Sequence, residues 1–322
     1  MIFTTRIPVN ITTPQPVVDY LAGRFTYHSH DTWTGLVASG SIRIDGRTAT
    51  VHDTVRGNQT IAYDAGEFEE PPADLDYAII YEDEWLLAVN KPGNLLIHRA
   101  GRSFRNNLMY HLRSVHTPSY ATARCIHRLD RNTSGIVLVA KTAQLQSEID
   151  CQFRMRTVHK WYDAIVEGVM NKPIDRIDAP IGRDASPDFR SRFRVDPAGK
   201  EAVTIVEQCE VIGPGFSQLL LKPLTGRTHQ LRVHCAAIGH PVVGDRLYGS
   251  TVSVSGNGID GGGSNDLHSA PDRHALHCAK IVFHHPRKNL ECCIEAPLPA
   301  DMASLREYAG SSKKKGGMTP PD

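Results

Sequence analysis

Apolar residues along this chain change their spacing twice, and each change predicts a different kind of structure. Val17, Val18, Leu21 and Phe25 recur at three- and four-residue intervals, as do Trp33, Leu36 and Val37 after them, so two short helices are expected. Over residues 41–53 the period falls to two. Ile42 and Ile44 alternate with polar residues up to Asp45-Gly46, and a second short strand follows. An Asp-Gly pair between alternating segments favours a tight hairpin, because both residues tolerate positive φ. Residues 14–64 thus form a small α+β module on this reading.

From residue 77 onward strand signals dominate, at 77–81, 86–90, 135–140, 160–166, 203–207 and 218–224. Few helices interrupt them. Thr142 can cap a helix that puts Leu145, Ile149 and Phe153 on one face. A second helix is expected over 228–238, ending at Gly239 with Pro241 beyond. Many strands with few, irregularly spaced helices predict an α+β domain on a mixed, largely antiparallel sheet over 77–308, not a doubly wound one. Residues 65–76, with Glu69-Glu70-Pro71-Pro72, have the composition of a stiff acidic linker. Residues 250–270, centred on Gly261-Gly262-Gly263, are expected to be a flexible surface loop, and 309–322 a disordered tail.

Composition narrows the classes. The 322 residues suit roughly two domains, and 40% hydrophobic with 22% charged residues argues against wholesale disorder. Apolar runs such as 135–140 are too short to cross a bilayer, and the first residues lack the pattern of a secretory signal. Seven scattered cysteines with no CxxC pair suit neither a disulfide framework nor a zinc ribbon, so a reducing, cytoplasmic setting is expected. The net charge of +1 makes no global demand for a nucleic-acid partner. Its distribution says more. Residues 64–84 carry nine acidic groups and no Lys or Arg, whereas 99–131 carry seven arginines against Asp130 alone. That basic segment is a candidate phosphate footprint, or else a counterweight to the acidic stretch nearby.

Three segments carry candidate chemistry. In the first, Arg124-Cys125-Ile126-His127-Arg128-Leu129-Asp130-Arg131-Asn132-Thr133-Ser134-Gly135, one carboxylate sits among arginines ahead of an apolar strand. The cations favour an ionised Asp130, and the Thr133 and Ser134 hydroxyls can bond the loop backbone. An Asp beside Arg is, however, more often a structural ion pair. In the second, Lys160-Trp161-Tyr162-Asp163-Ala164-Ile165-Val166, alternation points Tyr162 with Ala164 and Val166, toward a packed interior or a cleft. The third runs from Lys222 through Thr225-Gly226-Arg227-Thr228-His229-Gln230-Leu231-Arg232 to His234. Arg227 at a helix start opposes the helix dipole, which marks it as a candidate for function or for a specific ion pair. His229, His234, His274 and His277 lack accompanying acidic or Cys ligands at metal spacing, so core or hydrogen-bonding roles are expected and no metal site.

Residues 20–25 (Tyr-Leu-Ala-Gly-Arg-Phe), 40–46 (Gly-Ser-Ile-Arg-Ile-Asp-Gly) and 55–58 resemble the alpha-L RNA-binding module named after a small-subunit ribosomal protein, although 14–64 here carry a net charge of −1. The three chemical segments, with Leu86-Leu87-Ala88-Val89-Asn90-Lys91-Pro92, residues 239–245 and Ala296-Pro297-Leu298-Pro299, resemble the RluA-type RNA pseudouridine synthases over about residues 75–308. The resemblance implies a pseudouridine synthase fold and a cofactor-free isomerisation of uridine in ribosomal or transfer RNA. It implies Asp130 as the carboxylate near C1′, Arg227 as its partner and Tyr162 as the ring that stacks on uracil. It further implies Arg128 as the wedge that replaces a flipped base, with Arg124, Arg131 and Lys160 holding RNA. Two other readings remain: a non-catalytic RNA-binding or ribosome-assembly protein on the same fold, and a nucleoside glycosidase, which normally uses two carboxylates.

Overall fold

In a computed structural model, residues 2–66, 69–170, 174–186, 192–250 and 273–315 are described. The chain divides into two compact units, Met1–Pro72 with Arg99–Asn106, and Ala73–His98 with Asn107–Asp322. The boundary falls inside the segment 65–76. Most of the glycine-rich 250–270 stretch and residues 316–322 lie outside the described residues.

The N-terminal unit begins earlier than residue 14, because strand β1 (Ile2–Arg6) pairs antiparallel with β6 (Thr60–Asp64). Between them come β2 (Gln15–Pro16), helices α1 (Val17–Arg24) and α2 (His30–Ala38), then β3 (Ile42–Ile44), β4 (Arg47–Thr48) and β5 (Thr54–Val55). The sheet runs β1-β6-β3-β4. Asp45 and Gly46 close the β3–β4 hairpin with φ of 50° and 85°. Trp33, fully buried, anchors α2 and donates its indole N–H to the Phe25 carbonyl. Residues 99–106 complete this unit. Phe104 stacks on Phe3 at 3.8 Å between ring centres, and the Glu70 carboxylate accepts the N–H groups of Phe104, Arg105 and Asn106. Glu70 is therefore a structural anion, not a linker charge, and Arg99, Arg102 and Arg105 of the basic segment belong to this unit.

The second unit is built on a ten-stranded sheet. Its elements are β7 (Ala78–Glu82), β8 (Leu86–Lys91), α3 (Leu108–Ser114), β9 (Arg124–Cys125), β10 (Ser134–Ala140), α4 (Ala143–Arg154) and β11 (His159–Glu167). There follow β12 (Arg176–Asp178), β13 (Ile181–Arg183), β14 (Phe193–Val195), β15 (Val203–Gly213), β16 (Phe216–Pro223), α5 (Gln230–Ala237), β17 (Leu276–His285), β18 (Leu290–Glu295) and α6 (Ala300–Lys315). The main path is β12-β15-β16-β11-β17-β10-β8-β7, with β18 on β17 and β9 on β10. Among the described strands of this sheet only the β10–β17 pair is parallel, so the sheet is mixed and largely antiparallel.

Strands β8 and β10 carry unbroken apolar runs, Leu86–Val89 and Ile136–Ala140, because both faces are covered there. Leu86, Ala88, Ile136 and Leu138 pack into the main core with Leu145 and Ile149 of α4, whereas Leu87, Val89, Val137 and Val139 pack on the other side with Leu108, Met109 and Leu112 of α3. Thr142 caps α4 by accepting the Leu145 N–H. Helix α6 continues beyond residue 309, with Ala309 1% exposed and its carbonyl against Gly213, so the expected disorder does not begin there. The apolar spacing of Met302, Leu305 and Ala309 gives this end a face to bury. Among the described residues no helix is long and apolar enough to cross a membrane.

Candidate active site

A cleft of about 770 Å³ opens in the second unit. Asp130, Arg128, Tyr162, Lys160 and Arg227 all line it, although they come from three separate segments. Arg124 and Arg131 are not among its lining residues. Arg124 is exposed on β9, and Arg131 donates Nε to the Asn94 side chain at 2.9 Å. Among the described residues the cleft lining has six Arg and Lys side chains, from residues 128, 154, 156, 160, 227 and 232, against Asp130 as the one carboxylate. Such walls attract a polyanion to a single interior anion.

The Asp130 loop is held from several directions. The buried Lys91 ammonium donates to the carbonyls of Pro92, Leu95 and Arg131, at 2.8, 3.0 and 3.1 Å. Burial and the neighbouring Arg273 lower its pKa to about 7. Thr133 and Ser134 do not bond the loop backbone as the sequence suggested. Their hydroxyls meet His274 Nε2 at 2.7 Å and His277 Nδ1 at 2.9 Å, while Arg273 donates to the Asn132 carbonyl. Gly135 then enters β10 at φ 108°, and a Cβ there would lie 2.3 Å from the Cys278 carbonyl oxygen. Only glycine permits that approach of β10 to β17.

Tyr162 sits on β11 where its register with β17 shifts, paired with Leu221 on one side and Cys278 on the other. Such bulges re-aim a side chain. Tyr162 is 6% exposed, and burial raises its pKa well above the ordinary tyrosine value, with Cys278 and Asp130 adding to the rise. The phenol therefore stays protonated in the free protein. Burial likewise lowers the Lys160 ammonium, whose Nζ lies 5.4 Å from the Phe153 ring centre.

The expected pairing of Arg227 with Asp130 is corrected by the structure. Asp130 Oδ2 accepts from Arg232 Nη1 at 3.0 Å, and Arg232 grips Asp245 with Nε and Nη2 at 2.6 and 2.8 Å. Helix α5 starts at Gln230, later than the spacing implied, so Arg227 belongs to the turn before it. The Gln230 side chain accepts the Arg227 backbone N–H and the Thr225 hydroxyl, which turns the Arg227 guanidinium toward the Glu201 carbonyl, 2.8 Å away. Arg232, inside the helix and 7% exposed, is the residue aimed at the carboxylate. An arginine set between the apolar Leu231 and Val233 was the available signal, together with Asp245 in the 239–245 motif. His229, just before α5, takes φ 56°, a conformation costing an L-residue about 1 kcal/mol or more. His234 is a hydrogen-bonding core residue, with Thr204 Oγ1 at 2.9 Å and the Ala179 carbonyl at 3.0 Å.

The site is one ion-paired carboxylate in a cation-lined cleft on a mixed sheet, an arrangement suited to a polyanion. Comparison with known proteins gives the class. The family model described as RNA pseudouridylate synthase matches residues 85–237. Ribosomal large subunit pseudouridine synthase D of Pseudomonas aeruginosa is 32% identical over 299 residues, covering 89% of this chain and 90% of that protein. Its namesake from Vibrio cholerae is 33% identical, covering 88% of each chain, and that from Escherichia coli 34% identical, covering 79% of this chain and 78% of its own. Among solved structures, human RNA pseudouridylate synthase domain containing 1 is similar, with TM-score 0.53 and 28% identity, covering 79% of this chain and all of that one. The chain belongs to the RNA pseudouridylate synthase family. It has the pseudouridine synthase fold and is an RNA pseudouridine synthase, an isomerase.

Proposed function

We infer that this enzyme converts uridine to pseudouridine in large-subunit ribosomal RNA, in the cytoplasm, with Asp130 as the acting carboxylate. The observation that carries the reading is the Asp130–Arg232 pair at 3.0 Å in a cleft walled by cations, with Tyr162 on the same lining. The ribosomal target is supported by the names of the relatives, and transfer RNA is the competing substrate.

The reaction breaks the N1–C1′ bond and joins C5 to C1′. A proton leaves C5 and one arrives at N1, so the atoms balance with no co-substrate and no cofactor. An anion near C1′ either traps or stabilises the electron-poor sugar or takes a sugar proton, and Asp130 supplies that charge. Tyr162 offers a ring for the extruded uracil, and its hydroxyl is available during transfer of the C5 proton. Arg128, at the cleft, fills the gap left by the flipped base, offsetting part of the few kcal/mol lost on unstacking. Arg227 and Lys160 line the cleft and meet the nucleotide itself, whereas the exposed Arg124 suits a phosphate farther along the strand. Arg131, engaged by Asn94, reaches RNA less directly. The N-terminal unit adds RNA contacts through Arg99, Arg102 and Arg105, which offset the −1 charge of residues 14–64.

The test uses RNA carrying tritium at C5 of uridine. Label should be released by the parent protein and not by Asp130→Asn. Full activity in that variant overturns the role of Asp130. Mapping pseudouridine in cells lacking the protein decides the substrate, and loss confined to transfer RNA would overturn the ribosomal assignment. Loss nowhere, with RNA affinity intact, would point to a binding protein instead.

A further inference from the structure

His229 is a non-glycine residue held at φ 56° beside the reactive carboxylate, with its Nε2 3.8 Å from Asp130 Oδ2. Its other ring nitrogen, Nδ1, lies 2.8 Å from the Tyr248 hydroxyl. That hydroxyl already accepts the Phe193 backbone N–H at 3.0 Å, so its own proton is free to go to His229. Tyr248 donating to Nδ1 leaves the imidazole proton on Nε2, the ring nitrogen that lies 3.8 Å from Asp130 Oδ2, just outside direct hydrogen-bond distance. The Tyr248 ring also packs against the Arg232 guanidinium, 5.0 Å from its centre. Arg232 and His229 therefore approach the same oxygen of Asp130. Among the described residues no donor reaches the other one, Oδ1.

We propose that His229, locked by Tyr248 in its Nε2–H form, is a positioning residue that with Arg232 secures Asp130 Oδ2 and leaves Oδ1 as the oxygen presented to the nucleotide. The inference rests on the reading of Asp130 as the reacting carboxylate. Its chemical sense lies in charge. A second full cation on Oδ2 would over-stabilise the anion and blunt it as a nucleophile or base, whereas a neutral N–H dipole orients it without that penalty. The strained backbone at His229 fits a residue kept for its side chain. The charged and titratable groups facing the ring are Asp130, Arg232, Asp245, Tyr248 and His274. Desolvation outweighs the carboxylates and lowers the pKa of His229 below its ordinary value.

The experiment measures kcat and KM by tritium release from C5-labelled large-subunit RNA made without the modification, for the full chain and for His229→Gly, His229→Gln, Tyr248→Phe and Asp130→Asn. Glycine relieves the positive φ, and phenylalanine keeps the Tyr248 ring, so circular dichroism should show both variants folded. We expect kcat to fall about tenfold or more in His229→Gly and Tyr248→Phe, with KM changed less than about twofold. His229→Gln, which keeps an N–H donor, should recover part of the loss. In the parent, kcat should fall on acidification as His229 takes a second proton, and that limb should be missing in His229→Gln. Unchanged kcat and a superimposable pH profile in all three, with Asp130→Asn inactive, overturn the role of His229 alone. An active Asp130→Asn overturns this inference together with the reading beneath it.

Discussion

Arg232 reaches Asp130 with one Nη, at 3.0 Å, while its other two donor positions are clamped on Asp245. The guanidinium is thus fixed before the carboxylate meets it, and Asp245, 1% exposed, acts as the buried foundation of the pair. A planar fork can serve two carboxylates at once, which a lysine ammonium on a flexible stem does poorly. Arg232→Lys should therefore lower kcat by about a hundredfold, whereas Arg227→Lys, whose side chain rests on a carbonyl, should cost about tenfold or less. Single-turnover rates for the two variants check the order. Equal losses would return Arg227 to the role of carboxylate partner.

Tyr162 offers a ring and a hydroxyl to the same cleft. Tyr162→Phe keeps the ring and should hold RNA affinity within about threefold while kcat drops about tenfold. Tyr162→Ala removes the stacking surface as well and should weaken RNA binding, by about 1–3 kcal/mol. Filter binding beside single-turnover kinetics separates the two effects.

Gly135→Ala should destabilise the second unit by about 3 kcal/mol or more, because its Cβ would strike the Cys278 backbone while the residue holds φ 108°. Urea unfolding measures this. A small change would mean that β10 and β17 can separate without loss.

Acid should unfold the protein early. Burial lowers the pKa of His127 to about 3 and of His277 to about 4, from 6.5 in the unfolded chain. Between those values and 6.5 the unfolded state holds more protons, so stability rises with pH and falls as pH drops through this window. Each ring contributes up to about 1.4 kcal/mol per pH unit. Denaturant midpoints taken between about pH 7 and about pH 5 should decline, and His127→Gln should flatten the decline. A midpoint that does not move would contradict the burial of these rings as neutral groups.

Local pattern was enough for the elements whose cause is local. The Asp45-Gly46 hairpin, the Thr142 cap and the apolar runs of β8 and β10 each follow from a few neighbouring residues, and the cluster of arginines around Asp130 was visible as a candidate that only the family resemblance singled out from an ordinary ion pair. The choice between Arg227 and Arg232 was not local. It depended on where helix α5 begins, which the Gln230 side chain and the left-handed His229 decide by closing the turn against Thr225. The same holds for residues 99–106, whose arginines join the N-terminal unit because Glu70 gathers three of their backbone N–H groups, a contact spanning more than thirty positions. Residue types and spacing determined which groups could react. Only long-range packing decided which oxygen, which guanidinium and which imidazole face one another, because hydrogen-bond direction is set by backbone placement that no single segment controls.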